Sequence, residues 1–525
     1  MFTLPMPAPT ERDRTGSALH RRDVLRLLGL AGGAALALPN LVTACASAAS
    51  DVTGSGSGAG GGPASAPGST PSVAHDPNRP YWVQGNFAPV LDEVTLTELR
   101  VEGTLPRELN GLYARNGSNP AAGEAPHWFL ADGMVHGIHL RDGKANWYRN
   151  RYVVTPLYTS RTGLLGGGAP GGANNQSNVS VFEHGGRLLS SGEVGLPYEL
   201  SRDDLGTVGA HDYGGRLTTA MTAHPKIDPA TGDLHFFGYG FAPPYLTYHV
   251  ASPDGTLRHS EEVVIPRPVM MHDFAITEHD VVFWDLPVVF DLEDAVKALQ
   301  GVGNGFPFNW QPDAGARLGV MPLGGPASAI RWVDIEPCFM FHGTNAHREG
   351  DTVVLDGCWL PSAFQNDEAG RRAIHRWTID TGPVGSDRPL RVGDAVSSTV
   401  QMDLPAIDRR FVGRDQRWAW YVTIDDEGPA GFEFAGIARL DHRRGVVDDR
   451  WEPGDHYRAG EVVLVPRGPA EGDAWALTFA YDRTSDTSDL VVLDAMDLAR
   501  GPVARVRLPR RVPYGFHGWW LPDAP

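Results

Sequence analysis

The chain is poor in cysteine, with three in 525 residues, at positions 45, 338 and 358. No CxxC pair occurs, so neither a zinc ribbon nor a dithiol redox motif can be built. The helical zinc motif HExxH is absent as well. Basic residues are outnumbered, 45 Lys+Arg against 63 Asp+Glu, and the formal net charge is -18. Nucleic acid is therefore excluded as a partner, because phosphate binding needs a basic patch. Helical patterning is scarce, and only Leu292 to Leu299 reads as a helix. No low-complexity break divides residues 77 to 525, which argues for one large domain. Cys338 and Cys358 are expected to pack as small apolar side chains, with a disulfide after export left open.

What is present at the N-terminus reads as an address. Arg21-Arg22-Asp23-Val24-Leu25 is a twin-arginine pattern, followed by an apolar stretch from Leu25 to Leu38 that is too short to span a bilayer. Val42-Thr43-Ala44-Cys45 resembles a lipobox whose cysteine would be acylated; the alternative is ordinary cleavage near Ala44 or Ala46-Ser47. Residues 46–76 are rich in Gly, Ser, Ala and Pro and form a tether that cannot bury a core. The expected organisation is thus a signal segment over 1–45, a linker over 46–76 and a folded domain over 77–525. Its expected place is the cell envelope, lipid-anchored at Cys45, or the medium.

The folded part is patterned as strands. Val179-Ser180-Val181-Phe182, Gly185-Gly186 and Arg187-Leu188-Leu189 predict a hairpin. Tyr245 to Val250, a Ser252-Pro253-Asp254-Gly255 turn and Glu262 to Ile265 predict another. Further apolar runs at 281–284, 352–355, 462–465, 475–479 and 490–493, with 63 Gly and 42 Pro between and around them, make the class all-β. Many short hairpins suit a pair of sandwiches or a propeller; no blade signature recurs at a fixed period.

Nineteen histidines are present, and four share a distinctive setting. Phe341-His342-Gly343 and Phe516-His517-Gly518 repeat one tripeptide, while His224 sits in Ala-His-Pro-Lys and His272 in Met-Met-His-Asp-Phe. Each lies at or near the end of an apolar run. A lone histidine in such a place is ordinarily a hydrogen-bonded structural side chain, but neutral imidazoles from separate strands can also converge on one metal. Four of them add no ligand charge, and such ligands usually donate their other ring N–H to carboxylates. Glu193, Asp403 and Glu461 are candidates for that role, each otherwise an exposed turn carboxylate.

These residues resemble the carotenoid cleavage oxygenase family, which includes carotenoid, apocarotenoid and stilbene dioxygenases and a retinoid isomerase. The resemblance runs from about Tyr81 to Trp520. It rests on Leu109-Asn110-Gly111-Leu112-Tyr113-Ala114-Arg115-Asn116-Gly117-Ser118-Asn119-Pro120, on His127-Trp128-Phe129, on Asp132-Gly133-Met134-Val135-His136-Gly137, and on the four histidine segments, all in family order. It implies a seven-bladed β-propeller with Fe(II) on the axis under a cap of loops. It implies His224, His272, His342 and His517 as the catalytic metal ligands, with Glu193, Asp403 and Glu461 behind them. The family usually has glutamate where Asp403 stands, so the shorter side chain puts that hydrogen bond in question.

The implied chemistry is cleavage of a carbon–carbon double bond by dioxygen to give carbonyl products, with a carotenoid or apocarotenoid as substrate. Stilbene cleavage is the alternative within the family, and a non-catalytic binding propeller the alternative outside it. Peripheral membrane contact is expected where an apolar tunnel opens, and Leu292 to Val302 with Phe306-Pro307-Phe308-Asn309-Trp310 are candidates for its mouth; otherwise they are a surface helix and a packed aromatic loop. The N-terminal reading has its own test. Replacing Arg21 and Arg22 together by Lys is expected to hold metal-loaded protein inside the cell, and Cys45→Ala to release mature protein from the membrane fraction. Unchanged fractionation of either variant removes the corresponding signal.

Overall fold

The computed structural model describes residue 76 and residues 78–160, 172–299, 306–364, 371–426, 428 and 432–523. The twin-arginine stretch, Cys45, nearly all of the linker and residues 300–302 of the expected tunnel mouth lie outside them. The described chain is a seven-bladed β-propeller. Seven sheets of four to six strands follow one another around the ring, with one two-stranded ribbon besides. In four of the blades the strands are consecutive in sequence, as hairpins with tight turns dictate. The hairpin Ser180–His184 with Arg187–Ser191 turns at Gly185 and Gly186, both at positive φ, where side chains other than glycine are strained.

Within a blade, burial grades outward. Leu234–Tyr239 and Leu246–Ala251 are buried at every position, whereas Leu257–Glu262 beside them alternates. This corrects one expectation. The partner of Leu246–Ala251 is Leu257–Glu262, not the apolar run 262–265, because an outermost strand needs only one buried face and carries polar residues on the other. The helix Leu292–Leu299 is present as expected, and it sits in an insertion between two paired strands, Asp280–Asp285 and Ala316–Pro322. The same insertion holds the ribbon Val288–Phe290 with Phe308–Trp310. The single-turn helix Pro156–Ser160 has no counterpart in the patterning. Cys338 and Cys358 are buried and free. Among the described residues no helix is long and apolar enough to cross a membrane.

Two pairings close the ring. The last strand, Gly518–Pro522, is the innermost of a blade whose next strand is Gly111–Ser118, and Arg100–Gly103 forms the outer edge of the blade that contains Ala504–Leu508. The first of these pairings needs a glycine. A Cβ on Gly111 would lie 2.3 Å from the Leu521 carbonyl oxygen, a backbone atom of the closing strand. Gly111→Ala is therefore expected to cost about 1–3 kcal/mol, the usual penalty of overpacking. The measurement is a thermal or urea melt; a midpoint equal to that of the parent would show that the closure has slack.

Candidate metal centre

Each blade contributes one residue to the centre of the ring. His224, His272 and His517 stand just ahead of the innermost strands of three blades, Lys226–Ile227, Ala275–Ile276 and Gly518–Pro522. His342 lies within the innermost strand of a fourth, Phe339–Glu349. Asp403 lies in Met402–Ala406, Glu461 just precedes Val463–Pro466, and Glu193 follows Arg187–Ser191 in the remaining three. The ladder slips register around both residues that lie inside a strand, between Met340 and Asn345 and between Asp403 and Ala406. Such bulges re-aim side chains beside functional sites.

The four imidazoles converge, with one ligand atom from each within 4.8 Å of all the others. Nε2 of His224 is 3.0 Å from Nε2 of His272, which is 3.4 Å from Nε2 of His342. The opposite ring nitrogens are held from behind. Nδ1 of His517 donates to Glu461 Oε1 at 2.6 Å, Nδ1 of His342 donates to Asp403 Oδ1 at 2.7 Å, and Nδ1 of His272 meets Glu193 Oε1. Tyr239 donates its hydroxyl to the other oxygen of Glu193 at 2.5 Å. His224 has no such carboxylate among the described residues.

Aspartate therefore reaches where the longer side chain was expected. The strand is bulged there, and Leu404 takes a φ of 52°. The Leu404 N–H also donates to Asp403 Oδ1 at 2.8 Å. Burial alone would raise the pKa of Asp403, but the charge and hydrogen bond of His342 outweigh it and hold the pKa at about 2. Burial and the neighbouring imidazoles keep the pKa of His224 well below its ordinary value. Burial also works against charge on His272, but the Glu193 carboxylate prevails and raises it.

The set fits a metal ion. With Nδ1–H committed to a carboxylate, Nε2 presents a lone pair. Two such acceptors, on His272 and His342, stand 3.4 Å apart with no hydrogen to share. A divalent cation between them satisfies all four, and imidazole suits the first-row divalent ions.

The repeated tripeptide has a part for each residue. The histidine points to the centre. The glycine lets the backbone come close: a Cβ on Gly343 would lie 2.8 Å from the Trp284 ring, and one on Gly518 2.9 Å from the Ala114 carbonyl oxygen. Both glycine N–H groups donate to buried carboxylates, Gly343 to Asp273 at 3.0 Å and Gly518 to Glu461 at 2.7 Å. The phenylalanine forms cavity wall, with Phe341 edge-on to His272 at 5.2 Å and Phe516 against Trp128 at 4.6 Å.

His272, His342 and His517 face a cavity of about 750 Å³. Its walls are mainly aromatic, from segments that link strands, such as Trp128–Leu130, from the ribbon residue Phe308 and from Phe306 just before it. His224 lies instead on a second cavity of about 290 Å³ across the histidine cluster. Of the segments expected at a tunnel mouth, Phe306, Pro307 and Phe308 line the larger cavity. Several cavity residues carry no signal in the patterning. His127, which belongs to a block of the family resemblance but is not among its ligands, stacks on Phe306 at 4.6 Å, and burial lowers its pKa to about 4. Tyr81, Tyr239 and Arg372 have no motif of their own, and only the fold brings them to the cavity.

Replacing His272 or His517 by Ala is expected to abolish stoichiometric metal binding, measured by elemental analysis of purified protein. Glu193→Gln, Asp403→Asn and Glu461→Gln should each weaken metal affinity by ~10–100-fold, the usual effect of losing the group that orients a ligand. Unchanged affinity in the Asp403 variant would mean that the 2.7 Å contact orients nothing.

The model of the family described as retinal pigment epithelial membrane protein, RPE65, matches residues 87–522. The chain is 35% identical over 520 residues to a carotenoid cleavage oxygenase of Mycobacterium tuberculosis, covering 86% of this chain and 99% of that protein. It is 32% identical over 477 residues to an isoeugenol monooxygenase of Pseudomonas nitroreducens, covering 83% and 97%. The crystal structure of a lignostilbene dioxygenase of Pseudomonas brassicacearum superposes with a TM-score of 0.74 at 31% identity, covering 85% and 99%. Four histidines from four blades and these similarities over most of the chain have one reading: the protein belongs to the RPE65/carotenoid cleavage oxygenase family.

Proposed function

We propose that the protein is an Fe(II)-dependent dioxygenase that cleaves one double bond of a carotenoid or apocarotenoid, giving two carbonyl products. The observation that carries this reading is the joining of a neutral four-histidine set to an apolar, aromatic-walled cavity of about 750 Å³. That volume is ample for a ligand of drug size or somewhat larger. Bound at the four histidines, Fe(II) supplies the activation of dioxygen on which oxidative cleavage depends. His224, His272, His342 and His517 hold it without adding charge, while Glu193, Asp403 and Glu461 fix three of the rings. The aromatic walls exclude water and lay a flat conjugated chain beside the face formed by His272, His342 and His517. No side chain is asked to act as nucleophile or general acid.

An aryl-alkene reading comes second, with a stilbene or an isoeugenol-like phenol as substrate. Similarity to the lignostilbene dioxygenase and the isoeugenol monooxygenase supports it, as do two donor groups in the cavity wall, Tyr81 and Arg372. Polyenes dissolve in membranes, and the insertion that carries the helix Leu292–Leu299 and the cavity residues Phe306 and Pro307 is the proposed region of peripheral contact. Export by the twin-arginine route remains part of this proposal on the sequence pattern alone.

Protein purified without oxygen and loaded with Fe(II) is expected to carry one iron per chain and to convert members of a panel of carotenoids, apocarotenals and hydroxystilbenes. Both fragments should be carbonyl compounds, with label from ¹⁸O₂ entering at least one. Label arriving only from water would overturn the oxygenase reading.

A further inference from the structure

Arg372 stands apart in the wall of the larger cavity. It immediately precedes the strand Ala373–Asp380, and only 13% of its side chain is exposed. Its guanidinium lies over the Phe432 ring, 5.8 Å from the centroid. Its Nε is buried without a hydrogen-bond partner. The nearest carboxylate, Asp403, is 3.9 Å from Nη1, beyond hydrogen-bond distance. The other oxygen of Asp403 is already held by His342 and by the Leu404 N–H. A guanidinium is always charged and offers five donors and no acceptor. Burying one without hydrogen bonds is unfavourable unless something completes it.

The neighbouring polar groups do not supply that completion. Glu193 is engaged by His272 and Tyr239, and the Asn178 side-chain amide is used by Ser118, Phe129 and Ala131. Tyr81 packs against the same Phe432 ring, 6.3 Å between centroids, and its hydroxyl has no partner among the described residues. Burial raises its pKa, so it stays protonated and can donate. The cavity wall therefore carries two donors that no acceptor among the described residues meets at hydrogen-bond distance.

We propose that Arg372, with Tyr81 as a second donor, docks an acidic oxygen at one end of the substrate, a carboxylate or phenol oxygen borne on a conjugated apolar body. This deepens the oxygenase reading and rests on it in taking the docked molecule to be the substrate. Arg372 neighbours Asp403, which holds His342, so the docked end lies on the His342 side of the metal set. The cleaved bond is then nearer the oxygenated end than the free one.

The first arm of the test measures binding alone. cis-Parinaric acid, a fluorescent conjugated carboxylate, and its methyl ester are titrated into metal-loaded parent protein and into Arg372→Met, Arg372→Lys and Tyr81→Phe. The parent is expected to prefer the acid by roughly tenfold or more, the worth of a charge-assisted hydrogen bond. Arg372→Met should erase that preference with metal content unchanged, Arg372→Lys should keep part of it, and Tyr81→Phe should reduce it. An acid preference that survives Arg372→Met, or its absence in the parent, overturns the proposal. So does equal weakening of both probes with loss of metal, which would make Arg372 a support for Asp403 instead. The second arm compares cleavage of 4-hydroxystilbene and an apocarotenoic acid with their methyl ether and ester. Arg372→Met should raise KM for the acidic members with little change in kcat. If the parent cleaves nothing yet shows the Arg372-dependent preference, the oxygenase reading fails and the docking site stands.

Discussion

The centre of this propeller depends on which nitrogen of each imidazole carries the proton. Three carboxylates sit behind three of the rings: Glu461 and Asp403 accept from Nδ1 of His517 and His342 at 2.6 Å and 2.7 Å, and Glu193 pairs with Nδ1 of His272. Each such bond leaves a lone pair on the inward nitrogen. The result is a cluster of acceptors held face to face, an arrangement that is unfavourable until a cation joins it. Local structure follows from this demand. The strands bulge at His342 and Asp403, Leu404 accepts a left-handed backbone, and a carboxylate one methylene short makes contact there. The conformational cost falls beside the metal set, where such strain is commonly found.

A second carboxylate arrangement ties the ligand segments to one another. Asp273 follows His272 directly. Its Oδ1 accepts from Lys226, two residues after His224, and its Oδ2 accepts from the N–H of Gly343, one residue after His342. One fully buried side chain thus spans three neighbouring blades just beyond their histidines. Glu461 does the equivalent for the fourth, binding both the His517 ring and the Gly518 N–H. The positions of the four rings are therefore set by backbone hydrogen bonds as well as by packing, which is how a site drawn from blades far apart in sequence keeps its dimensions.

Much of this centre is legible in the amino-acid order. The doubled Phe-His-Gly and the histidine segments carry the ligand set because the glycine and its histidine are both demanded by geometry, so the pattern survives in sequence. Inner strands are buried on both faces and read as apolar runs. Outer strands such as Leu257–Glu262 are half exposed, and the neighbouring run 262–265 has the stronger apolar pattern. Blades without a common period follow from their unequal strands and from the insertion between Asp280–Asp285 and Ala316–Pro322. The reach of Asp403 is not legible, because it occurs at a bulge, and a bulge is a property of two strands. Arg372 is illegible for a similar reason. A lone arginine ahead of a strand is ordinarily a solvated one, and only the meeting of Asp403, Phe432 and the cavity makes it unusual.

The strand that closes the ring begins at the residue after His517. A ribosome delivers the chain from the other end, so three of the four imidazoles emerge well before the last. During synthesis the nascent protein can offer an ion only a three-sided seat in an open ring, and the fourth side arrives with the clasp. The full four-sided seat therefore exists only once the closing strand is in place.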